Sequence, residues 1–182
     1  MAPTITPGPL DGLFVIDIEV HDDTERPGAS FREVFHASRF RQLGLPAFEP
    51  VQWNISESTR GTVRGFHAEP WNKLVHVAAG RVFAAIVDLR ADSPTAGQTW
   101  TGELDRSRAL FVGAGLGNGF QALTETAVYA YLVDQHWRPD AAYPAVAWDD
   151  PDLAVAWPIT DQSLSLSSKD RANPTLRAYW QA

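Results

Sequence analysis

Cysteine is absent from this chain of 182 residues, and none of its hydrophobic runs is long. Without cysteine there is no disulfide framework and no thiolate that acts as a nucleophile or a metal ligand. The longest apolar stretches, such as residues 82–87, are far shorter than the ~20 residues needed to span a bilayer. The N-terminus also lacks a basic segment followed by an apolar run. These absences predict a soluble, cytoplasmic protein without a membrane segment.

Positive charge is scarce as well, since 15 Lys and Arg stand against 22 Asp and Glu, for a formal net charge of −7 at pH 7. An acidic protein is poorly suited to the phosphate backbone of nucleic acids, so we expect no nucleic-acid partner. An anionic small ligand would need a local basic pocket, for which Arg26, Arg64 and Lys73 are candidates. The 45% hydrophobic content suffices for one core, and residues 1–182 are predicted to form a single domain.

Short apolar runs punctuated by glycine, proline and aspartate fill most of the chain. Runs of this length and spacing are typical of antiparallel strands in a sandwich or barrel. Apolar residues at loosely helical spacing predict a helix over residues 31–43, and a second short helix is predicted around residues 169–172. The predicted strands cover residues 13–20, 62–67, 74–77, 82–89, 98–104, 109–112, 119–123 and 127–133.

One segment, residues 61–80, has the spacing of the cupin metal motif but not its ligands. The motif positions hold Gly61, His67, Glu69, Lys73 and Gly80. Lys73 stands where a metal site has a carboxylate, and an ammonium does not ligate a divalent cation. Asn118 stands where the motif's later histidine is expected. His67 and Glu69 are too few ligands for a stable transition-metal site, so we expect a cupin barrel that uses a base and a fixed cation instead of a metal.

A set of short segments, ordered along almost the whole chain, carries a more specific signal. It includes Phe-Arg-Glu-Val-Phe-His (31–36), Val-Gln-Trp-Asn-Ile-Ser (51–56), Val-Arg-Gly-Phe-His (63–67), Val-Phe-Ala-Ala-Ile-Val-Asp-Leu-Arg (82–90), Trp-Asp-Asp-Pro-Asp-Leu (148–153) and Leu-Ser-Ser-Lys-Asp (166–170). In this order the segments resemble the dTDP-4-dehydrorhamnose 3,5-epimerase family of sugar-nucleotide epimerases.

The resemblance implies an all-β fold, a double-stranded β-helix (cupin-type jelly roll) with a few short peripheral helices. It implies an enzyme that needs no cofactor and acts on a dTDP-linked 4-keto-6-deoxyhexose. It also implies a homodimer, for which residues 13–20 offer an apolar strand that is able to extend a neighbour's sheet.

Four residues match the family's catalytic positions. His67 falls on the catalytic base and Asp170 on the carboxylate that orients it, although an aspartate after two serines is also typical of a helix cap. Lys73 falls on the active-site lysine, and Tyr131 on the tyrosine that donates a proton to the opposite face of the sugar. This set suits epimerisation beside a ketone, because loss of a carbon-bound proton leaves an enolate that a cation stabilises.

Further positions match substrate contacts of the family. Arg64 corresponds to a diphosphate-binding arginine, Gln52 and Asn54 correspond to nucleoside-binding positions, and Trp137 to an aromatic residue near the base. The full set of predicted substrate contacts is Arg64, Gln52, Asn54, Arg26, Glu33, Trp137 and Asn118.

Three departures from the family pattern alter the predicted pocket. Asn118 replaces a histidine, Ala68-Glu69 replaces a Tyr-Gln type pair, and Gly113-Ala-Gly replaces Pro-x-Gly. The missing histidine leaves open whether carbon 3, carbon 5 or both are inverted, and Glu69 adds negative charge near a diphosphate. A non-catalytic sugar-nucleotide-binding cupin and a metal-dependent cupin enzyme are the alternative readings.

Overall fold

Antiparallel β-strands make up most of the computed structural model, which describes residues 2–181. The strands are β1 (Thr4–Pro7), β2 (Leu13–Asp17), β3 (Val20–Asp22), β4 (Ser30–Arg32), β5 (Gln52–Thr59), β6 (Val63–His67), β7 (Lys73–Ala79), β8 (Val82–Asp88), β9 (Thr99–Leu104), β10 (Arg108–Val112), β11 (Leu116–Ala122) and β12 (Thr126–Val133). The helices are α1 (Ala37–Gln42), α2 (Ser168–Arg171) and α3 (Leu176–Trp180). None of these helices is long and apolar enough to cross a bilayer.

Two sheets face each other to form the barrel. The large sheet has the strand order β1-β2-β10-β7-β12-β5, and the small sheet has the order β6-β11-β8-β9. Apolar side chains from both sheets meet between them, among them Val75, Leu110 and Tyr129 of the large sheet and Ile86 and Phe120 of the small sheet. The architecture is the jelly roll that the sequence predicts, with β3 and β4 as a separate hairpin.

The outer face of each sheet is covered by a segment from one end of the chain. Phe40 and Phe48 of the N-terminal half pack on the large sheet, and Trp157 and Leu176 of the C-terminal segment pack on the small sheet. The central strand β8 is therefore buried on both faces, as its nearly continuous apolar sequence predicts. The barrel interior and its two outer covers form three separate hydrophobic clusters.

The helix predicted over residues 31–43 is wrong for most of its length. α1 has only six residues and begins after His36, whose side chain caps it by accepting a hydrogen bond from the backbone N–H of Arg39. Upstream of it, β4 pairs with β3 in a hairpin, where Phe31 is 69% exposed and stacks on His21. Phe31 packs against no hydrophobic core, so its spacing from the apolar residues that follow does not indicate a helix.

The sequence patterns also fail to reveal β1 and β5, and they extend β2 too far. In the first half of β5 the polar residues Gln52 and Asn54 are partly buried while Trp53 and Ile55 are exposed, the reverse of the usual pattern. The predicted strand at residues 13–20 ends at Asp17, and β2 pairs with β1 on one edge and with β10 on the other. The expectation that residues 13–20 extend a neighbour's sheet is therefore wrong for residues 13–17, because both edges of β2 are already paired.

A close backbone contact ties the C-terminal segment to the barrel. The carbonyl of Gly61, in the turn between β5 and β6, accepts a hydrogen bond from the backbone N–H of Ser165 at 3.1 Å, and Ser165 in turn accepts from Val63 at 2.8 Å. Gly61 has a φ of +84°, and a Cβ at this position would lie 2.2 Å from the carbonyl oxygen of Ser163. Only glycine fits both the left-handed backbone and this close approach.

We expect Gly61→Ala to destabilise the protein more than Gly28→Ala. The two glycines have nearly the same φ, +84° and +85°, so both substitutions carry the left-handed backbone cost of roughly 1–2 kcal/mol. A Cβ at Gly28 meets nothing within 4 Å, whereas a Cβ at Gly61 meets the backbone of Ser163. Urea unfolding of both variants measures the difference, and equal losses would show that the close contact contributes nothing.

Candidate active site

His67 and Asp170 come together from two distant parts of the chain. His67 is the last residue of β6 in the small sheet, and Asp170 lies in α2 of the C-terminal segment. Nε2 of His67 is 2.8 Å from Oδ1 of Asp170. The ring N–H is poorly aligned with this oxygen, so the contact is close without being a strong hydrogen bond, and it is an ion pair only when His67 is protonated. The pairing leaves Nδ1 as the ring nitrogen available to a ligand.

Asp170 stays ionised although it is buried. Burial raises its pKa, but the neighbouring His67 and Ser167 outweigh burial and hold the pKa of Asp170 below its ordinary value. The hydroxyl of Ser167 donates to Oδ2 of Asp170 at 3.0 Å and accepts from its backbone N–H at 3.0 Å. Ser167 is thus the N-cap of α2. The short helix predicted around residues 169–172 is confirmed, and the alternative in which Asp170 caps it is wrong.

Tyr131 and Lys73 reach the same cavity from the large sheet. Tyr131 lies on β12 and Lys73 begins the neighbouring strand β7. Both line a cavity of about 200 Å³ that His67 also lines. Nζ of Lys73 is 5.8 Å from the centre of the Tyr131 ring, within the range of a cation-π contact. The histidine and the tyrosine therefore face the cavity from opposite sheets.

Glu69 is the counter-ion of Lys73. The two side chains form an ion pair, and Lys73 is only 4% exposed. Burial lowers the pKa of Lys73, and the charge of Glu69 opposes this shift. Burial also raises the pKa of Tyr131, which Glu69 raises further and Arg64 lowers. The negative charge of Glu69 is thus balanced by Lys73, a pairing that sequence reasoning missed.

The predicted nucleoside contacts surround an adjoining cavity of about 120 Å³. Gln52, Asn54 and Trp137 line it together with Glu69 and Tyr131. Nε2 of Gln52 donates to Oδ1 of Asn54 at 2.7 Å, and Oε1 of Gln52 accepts from the backbone N–H of Trp137 at 3.0 Å. These three residues are therefore held as one group beside the active-site cavity.

A larger cavity, of about 560 Å³, lies apart from the residues predicted to be catalytic. It is lined in part by apolar and aromatic residues such as Trp71 and Tyr143, and Glu69 forms part of its wall. None of the four residues predicted to be catalytic lines it. The smaller cavity is the candidate active site because it holds the groups able to move a proton.

The remaining predicted contacts divide into two pairs. Arg64 and Asn118 line the active-site cavity, whereas Arg26 and Glu33 do not. Arg26 follows β3 and pairs with Asp23, and Glu33 pairs with a side chain of α1. Because Arg26 and Glu33 lie outside the cavity of their own chain, their role in substrate binding stays a prediction.

No group of three or more His, Asp or Glu side chains within residues 2–181 is placed to hold a metal ion. In the active-site cavity Glu69 is engaged by Lys73, and His67 by Asp170. The residues present therefore do not form a usual transition-metal donor set. Metal-independent chemistry stays a prediction for this site.

The sequence matches the family model of dTDP-4-dehydrorhamnose 3,5-epimerases over residues 7–178. The chain belongs to this family. The dTDP-4-dehydrorhamnose 3,5-epimerase of Methanothermobacter thermautotrophicus is 37% identical over 175 residues, which are 92% of this chain and 91% of that protein. The structure of RmlC from Streptococcus suis in complex with dTDP-D-xylose is similar with a TM-score of 0.90 at 34% identity, covering 97% of this chain and 93% of that one.

A relative with a narrower name is almost as similar. The dTDP-4-dehydro-6-deoxyglucose 3-epimerase of a Streptomyces species is 34% identical over 92% of this chain and 86% of that protein. Membership of the family confirms the sequence-based prediction of a jelly-roll isomerase, an epimerase of deoxysugar biosynthesis. Similarity alone does not separate inversion of one carbon from inversion of two.

We expect Glu69→Gln to destabilise the protein at about pH 7 and to do so less at about pH 9.5. Without the carboxylate only burial acts on the Lys73 ammonium, and one unpaired buried charge costs about 3–5 kcal/mol. The folded pKa of Lys73 then lies further below its unfolded value. The unfolded state therefore binds the extra proton, so stability falls as the pH falls and the penalty shrinks as the pH rises. Urea unfolding at both pH values measures this change.

Lys73→Met in the Glu69→Gln background is the control for this prediction. It removes the unpaired ammonium, so the double variant should recover most of the stability that Glu69→Gln loses. A penalty that does not depend on pH, or a double variant whose two losses simply add, would contradict the ion pair as a coupled unit.

Proposed function

We propose that this chain inverts a carbon beside the keto group of a dTDP-linked 4-keto-6-deoxyhexose through an enolate intermediate. Hydrogen on such a carbon is acidic, so the first step is its removal by a base. Nδ1 of His67 is the acceptor, because Nε2 is engaged by Asp170. The carboxylate of Asp170 then stabilises the imidazolium that forms.

Lys73 is the partner for the charge that develops on the carbonyl oxygen. Its ammonium is buried in the cavity wall, where Glu69 holds it in position. A charge fixed in a site shielded from water needs no reorganisation as the oxyanion forms. The bond between carbon and hydrogen breaks, its electron pair moves into the enolate, and Lys73 stabilises the oxygen that carries the charge.

Return of a proton from the other face completes the inversion. The observation that carries this proposal is that His67 belongs to the small sheet and Tyr131 to the large sheet, with one cavity between them. A planar enolate in this cavity loses its proton towards one sheet and receives a new one from the other. The hydroxyl of Tyr131 gives that proton to carbon, and the nearby positive charge of Arg64 eases formation of the phenolate.

The nucleotide is proposed to lie beside the sugar, along the predicted nucleoside contacts. Gln52, Asn54 and Trp137 form a linked group next to Tyr131, and Arg64 lines the cavity as a partner for the diphosphate. One proton leaves and one proton returns, so the reaction balances without a redox cofactor or a metal. A cytoplasmic location is part of this proposal.

Deuterium uptake from deuterated water tests the catalytic roles one residue at a time. With dTDP-4-keto-6-deoxyglucose, His67→Ala should abolish both uptake and inversion, because no proton leaves carbon without the base. Tyr131→Phe keeps the ring, so it should still exchange protons while forming the inverted product poorly. Lys73→Ala should slow turnover about 100- to 1000-fold. Mass spectrometry counts the deuterons, and NMR of the product reports the configuration.

The number of deuterons also reports how many carbons are inverted. An amide at position 118 does not take up a proton near neutral pH, so we expect wild type to incorporate one deuteron and Asn118→His to gain a second. Deuterium uptake by His67→Ala at the wild-type level would contradict the proposed mechanism. Nucleotide binding by wild type without any uptake would favour the non-catalytic sugar-nucleotide-binding protein.

We also propose a homodimer that forms through the free edge of β5. This strand is the last of the large sheet, and its side chains Trp53 and Ile55 are 61% and 55% exposed. An edge strand with exposed apolar residues is a usual site of association with another chain. Arg26 and Glu33, which do not reach their own cavity, would then be available to the cavity of the other copy.

Light scattering at micromolar concentration should give about twice the chain mass of 20.0 kDa. Ile55→Lys should shift the protein towards monomers, because it places a charge in the apolar edge. Thr101→Lys is the matched control, since Thr101 is exposed on β9, the edge strand of the small sheet. A monomeric wild type, or an equal effect of both substitutions, would contradict the proposed interface.

A further inference from the structure

Tyr129 has a buried hydroxyl group that the proposed mechanism does not use. It lies on β12 two residues before Tyr131, is 1% exposed, and packs between the two sheets. Its ring stacks on Phe120 with 4.1 Å between ring centres. A phenol hydroxyl in such a place costs stability unless it forms a hydrogen bond, so its partner is informative.

That partner is the side-chain amide of Asn118. The hydroxyl of Tyr129 donates to Oδ1 of Asn118 at 2.8 Å, and within residues 2–181 it makes no other hydrogen bond. The two ends of an amide have the same shape but opposite hydrogen-bonding character. If the amide were reversed, the phenol hydrogen would be buried without an acceptor, a loss of about 1–3 kcal/mol. Tyr129 therefore fixes which end of Asn118 faces the core.

The other end of the amide is left for the active site. Asn118 lies on β11 directly opposite His67 of β6, and it lines the cavity that contains His67 and Lys73. Its Nδ2 forms no hydrogen bond within residues 2–181, and it is not a fully buried unsatisfied atom. The amide thus presents a fixed, uncharged donor beside the base.

We propose that Nδ2 of Asn118 donates a hydrogen bond to an oxygen of the bound keto sugar, and that Tyr129 is the positioning residue that sets this amide. The inference rests on the proposed function for the identity of the ligand. The oxygen is one attached to, or next to, the carbon that His67 deprotonates, because Asn118 and His67 are paired across two strands. Unlike an imidazole, the amide keeps its donor at every pH near neutrality and cannot act as a second base.

Binding affinities of dTDP and dTDP-D-xylose test this inference without turnover. Tyr129→Phe keeps the ring and its stacking but no longer fixes the Asn118 amide. It should weaken the binding of dTDP-D-xylose about fivefold to tenfold and change the affinity for dTDP less than twofold. Asn118→Asp keeps an acceptor for the hydroxyl of Tyr129 but replaces the amide donor with an oxygen. It should therefore weaken the binding of dTDP-D-xylose at least as much as Tyr129→Phe does. The double variant should be no weaker than Asn118→Asp alone, because Tyr129 acts through Asn118.

Three results would overturn the inference. The first is an unchanged affinity of Tyr129→Phe for dTDP-D-xylose. The second is an equal loss of affinity for dTDP and for dTDP-D-xylose in that variant. The third is a loss of affinity in the double variant that equals the sum of the two single losses. The equal loss would show a merely structural role. If Tyr129→Phe does not fold, NMR of wild type gives the answer, since the Asn118 side-chain amide signal should shift with dTDP-D-xylose and not with dTDP. If wild type binds dTDP-D-xylose through Asn118 but no deuterium is taken up from solvent, the proposed function is refuted while the inference about the Asn118 donor still stands.

Discussion

The pairing of His67 with Asp170 is the contact on which the active site depends. His67 ends a strand of the small sheet, while Asp170 reaches it only because the C-terminal segment packs against the barrel. The backbone contacts between Gly61 and residues 163–165 hold this segment in place. A histidine at a strand end is ordinarily structural, and the buried, ionised carboxylate beside His67 is what supports its proposed role as a base. In the proposed mechanism, packing of the outer cover is therefore a condition for catalysis as well as for stability.

The cavity accommodates its charges as pairs. Glu69 balances Lys73 on the wall of the large sheet, and Asp170 is placed to balance His67 of the small sheet when that ring is protonated. Burial lowers the pKa of Lys73, and the paired carboxylate of Glu69 opposes this fall and so favours the charged ammonium. In the proposed mechanism, an enolate oxygen would therefore share Lys73 with a carboxylate. An uncharged donor at Asn118 suits such a site, since it adds stabilisation without adding another charge that needs a partner.

Much of the fold follows from the strand-sized apolar runs of the sequence, and the ordered motifs that carry the family resemblance point to the four residues predicted to be catalytic, whose roles stay predictions. The failures have physical causes. β5 escapes prediction because Gln52, Asn54 and Ser56 line the cavities while Trp53 and Ile55 are exposed, the reverse of an ordinary strand. The pairing of Glu69 with Lys73 depends on how a loop meets a strand, which spacing does not reveal. Tyr129 has the sequence signal of a core residue, and only its contact with Asn118 distinguishes it.

The rate of deuterium uptake by Asp170→Asn tests most directly whether the pair with His67 is the base. The amide keeps the shape of the carboxylate and still offers an oxygen to the hydroxyl of Ser167, but it cannot stabilise an imidazolium. We predict that uptake falls about 100-fold or more, while thermal stability and dTDP affinity stay close to those of wild type. Uptake at the wild-type rate in a folded Asp170→Asn protein would contradict the account.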